Sequence, residues 1–502
     1  MLKPGNVSEL FFAAAEKWPA KPALIGADDR VLTFGELAEQ VNDTAAYYRS
    51  KGIGKGDRVL LFVPMGIPLY RCILALFRIG AVAIFLDEWV SKERLEVCCR
   101  LAKCKVFIAP FKLRALALFS KEVRKIPVWL GPGYKKTAAQ NFEQTTSDDT
   151  ALITFTTGST GIPKAADRTH GFLTAQFNAL VDKINPDIAD VDMPVLPIVL
   201  LLNLGTGVTS VIAGFNSRKP ETIDTNAIWN QIVRHNVNRF TASPYVVERL
   251  AAATFNGKPA MRFFTGGAPV FPAQAATMLK GLPQSTIEIV YGSTEAEPIS
   301  SIGAADLAAE QGALEKGLPV GEIYHGTNVL ILPIVDAPIE SNSNAELEKL
   351  ALLPGNVGEI TVSGAHVLQH YIENAEAEKR NKIFTDEKVW HRTGDAGFIN
   401  EHGQLFLCGR CSTLIYVNGK MLAPFLWEGW FSSLPGIRMG TILEKGKQVI
   451  AVLQAGADCD KEEVKRKALR RFPFDKILFI EMIPRDPRHF SKIDYGKLFF
   501  EI

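Results

Sequence analysis

The stretch Ala151-Leu-Ile-Thr-Phe-Thr-Thr-Gly-Ser-Thr-Gly-Ile-Pro-Lys164 restricts this chain more than any other part of it. Its apolar start, Leu152 to Phe155, reads as a buried strand. Hydroxyl residues and glycines then alternate until Pro163 and Lys164 close the run. Gly158 and Gly161 tolerate φ > 0 and let backbone N–H groups approach an anion. Thr156, Thr157, Ser159 and Thr160 add hydroxyl donors, and Lys164 adds positive charge. The combination predicts a cradle for a polyphosphate. It is not a Walker A loop, because Gly161 is followed by Ile-Pro-Lys and not by Lys-Ser/Thr. The bland alternative is a polar surface turn, and a hydroxyl-dense run placed directly behind a buried strand argues against it.

At 502 residues the chain is too long for one core, so two or more domains are expected. Residues 7–18 read as a helix with Ser8 as its N-cap. Short strands follow at Pro22–Gly26 and Arg30–Gly35, then a helix over Glu36–Lys51, a strand from Gly56, a helix over Ile67–Gly80 and a strand from Ala81. Strands alternating with helices of this length predict a mostly parallel α/β sheet. Residues 136–150 are polar and turn-rich, so a surface connection is expected before the phosphate strand. A net charge of +2 without a long basic run leaves no electrostatic footprint for nucleic acid. Cys72, Cys98, Cys99 and Cys104 lie in apolar segments, and the cysteine count is odd, which suits a reducing cytosol. Cys408-Gly-Arg-Cys411 has a metal-like spacing, yet no second pair lies nearby, so two unlinked thiols are expected.

No signal peptide is read after Met1, and a cytoplasmic location is the expectation. From Met193 to Phe215 no residue is charged, long enough to span a bilayer. Pro194, Pro197, Asn203, Gly205, Gly207 and Gly214 interrupt it, so a buried strand, loop and helix beneath a substrate pocket is the reading. Contact of this surface with lipid stays open, and no transmembrane segment is expected.

Phe155-Thr-Thr-Gly-Ser-Thr-Gly-Ile-Pro-Lys164, with Thr169-His170 after it, resembles the phosphate loop of the adenylate-forming superfamily, which includes acyl-CoA synthetases, peptide-synthetase adenylation domains and beetle luciferases. Ala165 departs from the family's glycine. Further motifs follow in the family's order. Phe264-Thr-Gly-Gly-Ala-Pro-Val270 is similar to its Gly-Gly-Ala-Pro segment, where Gly267, Ala268 and Pro269 would lie against a purine. In Val290-Tyr-Gly-Ser-Thr-Glu-Ala296, Tyr291 offers an aromatic face for adenine, and Gly292 and Ser293 accompany it. Thr294 offers a hydroxyl for phosphate, and Glu295 a carboxylate for Mg²⁺, an ion that prefers oxygen ligands shared with phosphates. Val357-Gly-Glu-Ile-Thr-Val-Ser-Gly364 resembles an architectural strand of the family's third subdomain. Asp395, in His391-Arg-Thr-Gly-Asp395, would accept both ribose hydroxyls, and Arg410 matches the arginine that also reaches the ribose. Ser491-Lys-Ile-Asp494 resembles the segment bearing the catalytic lysine, which makes Lys492 the match and Lys497 the runner-up.

The resemblance implies an α/β fold. A large N-terminal domain (1–410) of α/β subdomains and a β-barrel-like subdomain would precede a small, mobile α+β C-terminal domain (411–502) carrying Lys492. It implies an AMP-forming ligase that uses ATP and Mg²⁺ to activate a small-molecule carboxylic acid. Ser412 and Tyr416 depart from the family where the second half-reaction is served, and the C-terminal domain is shorter than usual. Tyr291–Ser300, Val335–Ile339, Cys408–Ser412 and Asp486–Lys492 are instead similar to the β-lactone synthetases of long-chain olefin biosynthesis. Those enzymes adenylate a β-hydroxy acid whose own hydroxyl then closes the ring, without CoA. A fatty or aryl acid–CoA ligase is the alternative, and a catalytically silent nucleotide-binding scaffold the remote one. His391 and His489 are candidate bases for ring closure, and Val195–Leu204 with Thr241–Tyr245 a candidate acyl pocket. Chain length, pathway-enzyme partners and homodimer formation stay open.

Overall fold

A computed structural model describes residues 5–86, 90–138, 141–157, 163–215, 219–310, 317–486 and 490–502. The chain divides into two compact units, the first comprising Met1–Ala242, Thr294–Glu297 and Gly364–Lys382, the second Ser243–Ser293, Pro298–Ser363 and Ile383–Ile502.

In the first unit, strands Val128–Leu130, Val106–Ile108, Arg58–Leu61, Val82–Phe85 and Thr150–Thr157 run parallel in that spatial order. Pro163–Thr169 closes the edge antiparallel to Thr150–Thr157. The two-residue repeat of a strand sends neighbours to opposite faces. Val59, Leu61, Ala83, Val106 and Leu152 accordingly join one core with helices Phe34–Ser50 and Ile67–Arg78. Leu60, Val82, Ile84, Phe107 and Ile153 join the other, against Lys92–Ala102. A parallel sheet covered on both faces needs near-continuous apolar strands, which is why these segments read as unbroken hydrophobic runs. A smaller set, Arg239–Ala242, Val191–Pro194, Thr209–Val211 and Pro22–Ile25, is also parallel, with Val31–Thr33 antiparallel at its end.

Two helix starts differ from the sequence expectation. Ser8 lies inside the helix Ser8–Lys17, with Val7 at the N-cap position. The Asn6 carboxamide oxygen accepts from the Ser8 N–H at 2.9 Å and from its hydroxyl at 2.8 Å, so an asparagine two residues upstream satisfies the turn. The helix expected from Glu36 starts at Phe34, because Thr33 and Glu36 form a reciprocal capping box.

The uncharged stretch 193–215 resolves into the end of strand Val191–Pro194, helix Pro197–Thr206 and strand Thr209–Val211. It surrounds a buried polar network in which the Arg239 guanidinium pairs with Asp190 (3.2 Å) and Asp192 (3.0 Å). Asn203 donates to Asp192 (2.8 Å) and Ser210 (2.9 Å). Lipid could not satisfy these groups. Among the described residues no helix is long and apolar enough to cross a membrane.

In the second unit, Arg262–Gly266 and Thr286–Ser293 run parallel. The part of strand Ala296–Gly303 from Pro298 on, Leu318–Ile323, Gln404–Arg410, Val389–Ile399, Gly358–Ser363 and Asn328–Leu332 form an antiparallel succession. Register shifts at Pro319/Gly321, Glu359/Thr361 and Ala396/Gly397 mark bulges, which bend such strands. Downstream, Ile415–Val417 and Lys420–Leu422 form a hairpin whose turn, Asn418-Gly419, has φ of 49° and 76°. Three strands, Ile437–Lys445, Gln448–Ala455 and Lys476–Ile480, pack with helices Pro424–Ser432 and Lys461–Arg471 around Trp427 and Phe431. This last part is the small α+β region. Cys408 and Cys411 are not joined in a disulfide, and burial pushes the Cys408 thiol up to about 12.

Candidate active site

In the first unit, antiparallel pairing sets Thr156 opposite Lys164, so the phosphate-loop motif links two strands of one sheet. Gly158, Ser159, Thr160 and Gly161, and the side chain of Thr157, lie outside the described residues. The flanking residues converge on Glu295, which is 6% exposed. Its Oε1 accepts from the Thr156 hydroxyl at 3.0 Å and from the Tyr371 phenol at 3.0 Å. Lys164 Nζ stands 3.9 Å from the same oxygen, donates to Asn381 Oδ1 at 3.2 Å, and lies 4.9 Å over the Tyr371 ring. The fully buried Lys382 approaches the same ring at 5.4 Å and donates to the Leu368 carbonyl, while the Leu368 N–H donates to the Glu295 carbonyl at 2.7 Å.

Burial, reinforced by the Glu295 charge, pushes the Tyr371 phenol far up, so it stays a hydrogen-bond donor. Burial pushes the Lys382 amine down to about 7, against the attraction of Glu295. Arg168 Nη2 donates to the Thr294 carbonyl at 2.8 Å, fixing the backbone one residue before Glu295. One buried carboxylate framed by neutral hydroxyls and a lysine fits Mg²⁺, which takes one or two carboxylates and completes its shell with water and substrate phosphates. Among the described residues no cluster of three or more His, Cys, Asp or Glu could hold a metal by itself. Thr169-His170 is structural: Thr169 caps the following helix, and burial lowers the imidazole to about 4 as its Nδ1 accepts from the Val7 N–H.

In the second unit, Tyr291 and Asp395, 104 positions apart, meet: the Tyr291 hydroxyl donates to Asp395 Oδ2 at 2.8 Å. Arg410, opposite Asp395 in the strand register, donates to Oδ1 at 2.8 Å. Burial and then the Asp395 charge push the Tyr291 phenol well up. The turn that aims Asp395 is itself held. Glu359 accepts from Arg392 Nε (2.8 Å) and Nη2 (2.6 Å) and from the Gly394 N–H (3.1 Å), while Thr393 Oγ1 accepts from the Asp395 N–H at 3.0 Å. Gly394 has φ of 71°, a conformation glycine allows without strain. Glu359, in the segment read as architectural, thus orients the candidate ribose carboxylate.

Gly267, Ala268 and Pro269 follow strand Arg262–Gly266 and are half-buried, as are Gly292 and Ser293 at the end of the neighbouring strand. A Cβ on Gly266 would stand 2.6 Å from the Val290 carbonyl oxygen, so glycine is needed there for strand approach.

Lys492 is exposed; its carbonyl accepts from the Asp486 N–H at 2.9 Å and its own N–H donates to Asp486 Oδ1 at 2.9 Å. Ser491 Oγ accepts from the Tyr245 N–H at 3.2 Å, and the Phe490 ring meets Tyr245 edge-on at 5.0 Å. A cavity of about 200 Å³ beside them is lined by Tyr245, Glu248, Pro269, Arg438 and Arg485, among others. Lys497 forms a local ion pair with Asp494 at 3.3 Å. His391 is buried in its strand, opposite Val362 in the register, and His489 lies outside the described residues. In the candidate acyl segment, Val199, Leu200, Leu202 and Leu204 are core, whereas Leu196, Ile198 and Leu201 are half-buried. Sequence reasoning missed Tyr371, Lys382 and Asn381. Lys379-Arg-Asn-Lys382 looks like a solvated basic run, and nothing in its composition marks the last lysine as buried.

A family model described as AMP-binding enzyme matches residues 11–372. The chain is 28% identical to an olefin β-lactone synthetase of Stenotrophomonas maltophilia, over 94% of this chain and 92% of that protein. It is 30% identical to one of Xanthomonas campestris pv. campestris, over 77% of this chain and 73% of that protein. Among solved structures, the O-succinylbenzoate CoA synthetase of Bacillus subtilis in complex with ATP and magnesium superposes with a TM-score of 0.81 at 20% identity, covering 97% of this chain and 98% of that one.

Proposed function

This chain belongs to the AMP-binding enzymes and is an ATP-dependent, AMP-forming ligase, and we propose that it activates a long-chain β-hydroxy acid and closes it to a β-lactone. The likeness to two olefin β-lactone synthetases, one of them aligned over 94% of the chain, carries this reading.

In the first step a carboxylate oxygen attacks the α-phosphorus of ATP, and the bond to the β-phosphate oxygen breaks to release pyrophosphate. Both reactants are anionic, so the protein's part is positioning and preorganised positive charge. Tyr291 presents its ring to adenine, with the Gly267–Pro269 and Gly292–Ser293 backbone beside it. Asp395 accepts the ribose hydroxyls with Arg410 alongside. Residues 156–161, Lys164 and Thr294 hold the phosphates. Glu295 would hold Mg²⁺, which neutralises phosphate charge when bound. Lys492, on a C-terminal domain we take as residues 411–502 against an N-terminal domain of 1–410, bridges carboxylate and α-phosphate.

In the second step the β-hydroxyl oxygen attacks the activated acyl carbon, the acyl–phosphate C–O bond breaks, AMP departs with the electron pair, and the hydroxyl proton passes to a base and on to solvent. Nucleophile and electrophile share one molecule, so closure needs no second substrate site. Half-buried Leu196, Ile198 and Leu201 suit an alkyl chain.

The test supplies purified protein with ATP, Mg²⁺ and a long-chain β-hydroxy acid, with and without CoA. AMP and lactone in equal amounts without CoA are expected. A strict requirement for CoA with a thioester product would replace this reading with CoA ligation, and tight ATP binding without pyrophosphate release from any acid would leave a scaffold.

A further inference from the structure

In the first unit, the short helix Phe111–Ala117 and the turn after it are built inside out. Leu113 and Ala117 pack against the core that holds Phe107 and Ile153. The outward positions carry the larger apolar groups: Phe111 is 77% exposed, Leu116 64%, Leu118 55% and Phe119 74%. An ordinary surface helix has the opposite arrangement. Single exposed leucines are common, but four large apolar side chains within nine residues make a patch. A loose backbone does not explain it. Glu96 accepts the Lys121 and Glu122 N–H groups at 2.7 and 2.6 Å, the Ser120 hydroxyl accepts from the Val123 N–H at 3.2 Å, and Val123 is buried.

The rim is cationic. Lys112, Lys121, Arg124 and Lys125 are exposed, and Glu122, the one acidic residue between Phe111 and Lys125, is engaged by Arg100 and Lys125. We propose that Phe111, Leu116, Leu118 and Phe119 seat this protein on an anionic phospholipid surface, with Lys112, Lys121 and Arg124 against the headgroups. Apolar side chains ringed by cations complement the interface of such a bilayer, where the rings and leucines enter the acyl boundary. A protein partner of matching apolar character would not call for four exposed cations along this edge, where the carboxylates of Glu96 and Glu122 are already engaged. The inference rests on this surface and not on the product proposed above.

The full chain is floated with vesicles of phosphatidylcholine containing about 30% phosphatidylglycerol, and with phosphatidylcholine alone, at about 0.1 M and 0.5 M salt. Binding to the anionic vesicles, weakened by salt, is expected. F111S/F119S should reduce bound protein about tenfold on either vesicle while pyrophosphate release in solution stays unchanged. K112E/K121E/R124E should abolish the preference for phosphatidylglycerol. Failure of the wild type to float, or flotation of F111S/F119S at the wild-type level, overturns the proposal. So does a concentration-dependent dimer that F111S/F119S abolishes, since the face would then belong to a second copy.

Discussion

Replacing Tyr291 by Phe removes one hydrogen bond from the candidate ribose site and leaves its aromatic face in place. An ionised carboxylate offers about four acceptor positions. The Tyr291 hydroxyl takes one on Oδ2 and Arg410 one on Oδ1, each at 2.8 Å, which leaves about one per oxygen for the two ribose hydroxyls. A hydrogen bond to a charged group contributes roughly 1.5–3 kcal/mol. Arg410 still holds the other oxygen, and its side chain is half exposed, so the lower end applies: about 1.5 kcal/mol, or roughly tenfold. The loss should fall on KM for ATP, with kcat within about twofold, because ribose contacts are equally strong in ground and transition states. Pyrophosphate–ATP exchange at saturating acid reads both constants. 2′-Deoxy-ATP supplies the second arm of a cycle: the wild type should discriminate against it, Asp395→Ala should not, and Tyr291→Phe should fall between. Unchanged KM in Tyr291→Phe, or equal discrimination in Asp395→Ala and wild type, would show that this carboxylate does not hold the ribose.

The other predictions concern separate parts of the chain. Lys492→Ala should cost about 10²–10³ in kcat with a small change in KM for ATP, whereas Lys497→Ala, losing only a local ion pair, should stay within about twofold in the same exchange assay. Glu428 is buried, accepts from the Thr441 hydroxyl at 3.0 Å and from Tyr495, and burial pushes its carboxyl up to about 7 from an ordinary 4.5. The folded state therefore holds the proton more tightly. Stability is highest below about pH 4.5, falls as pH rises to about 7, and is then lower by about 3 kcal/mol. In urea unfolding, Glu428→Gln should lack this slope and gain on the wild type between pH 5 and 8; parallel pH profiles would refute it. Gly266→Ala puts a methyl group 2.6 Å from the Val290 carbonyl and should destabilise by about 1–3 kcal/mol in thermal unfolding while raising KM for ATP.

What the sequence disclosed follows from what each level of organisation depends on. The α/β sheet was legible because a doubly covered parallel strand must be apolar at every position, as Arg58–Leu61 and Val82–Phe85 nearly are. Tyr291, Asp395 and Arg410 were legible because each sits in a short motif, and their meeting within 2.8 Å is a consequence of register and turns that no motif states. The burial of His391 was not legible, for the converse reason. In Trp390-His-Arg392 three successive residues are buried, so alternation along the strand did not tell an accessible side from a closed one. Lys382 failed because charge predicts exposure until burial is known. Its amine, pushed down to about 7 by burial, keeps its proton beside Lys164 to the extent that the Glu295 carboxylate and the Leu368 carbonyl support it, and those partners come from separate segments of chain. A buried cation left with one partner removed is far costlier than the pair is stabilising. The cluster around Glu295 is therefore specified jointly by Thr156, Lys164, Tyr371 and Lys382, and a reading that takes motifs one at a time finds the carboxylate without the groups that keep its surroundings electrically balanced.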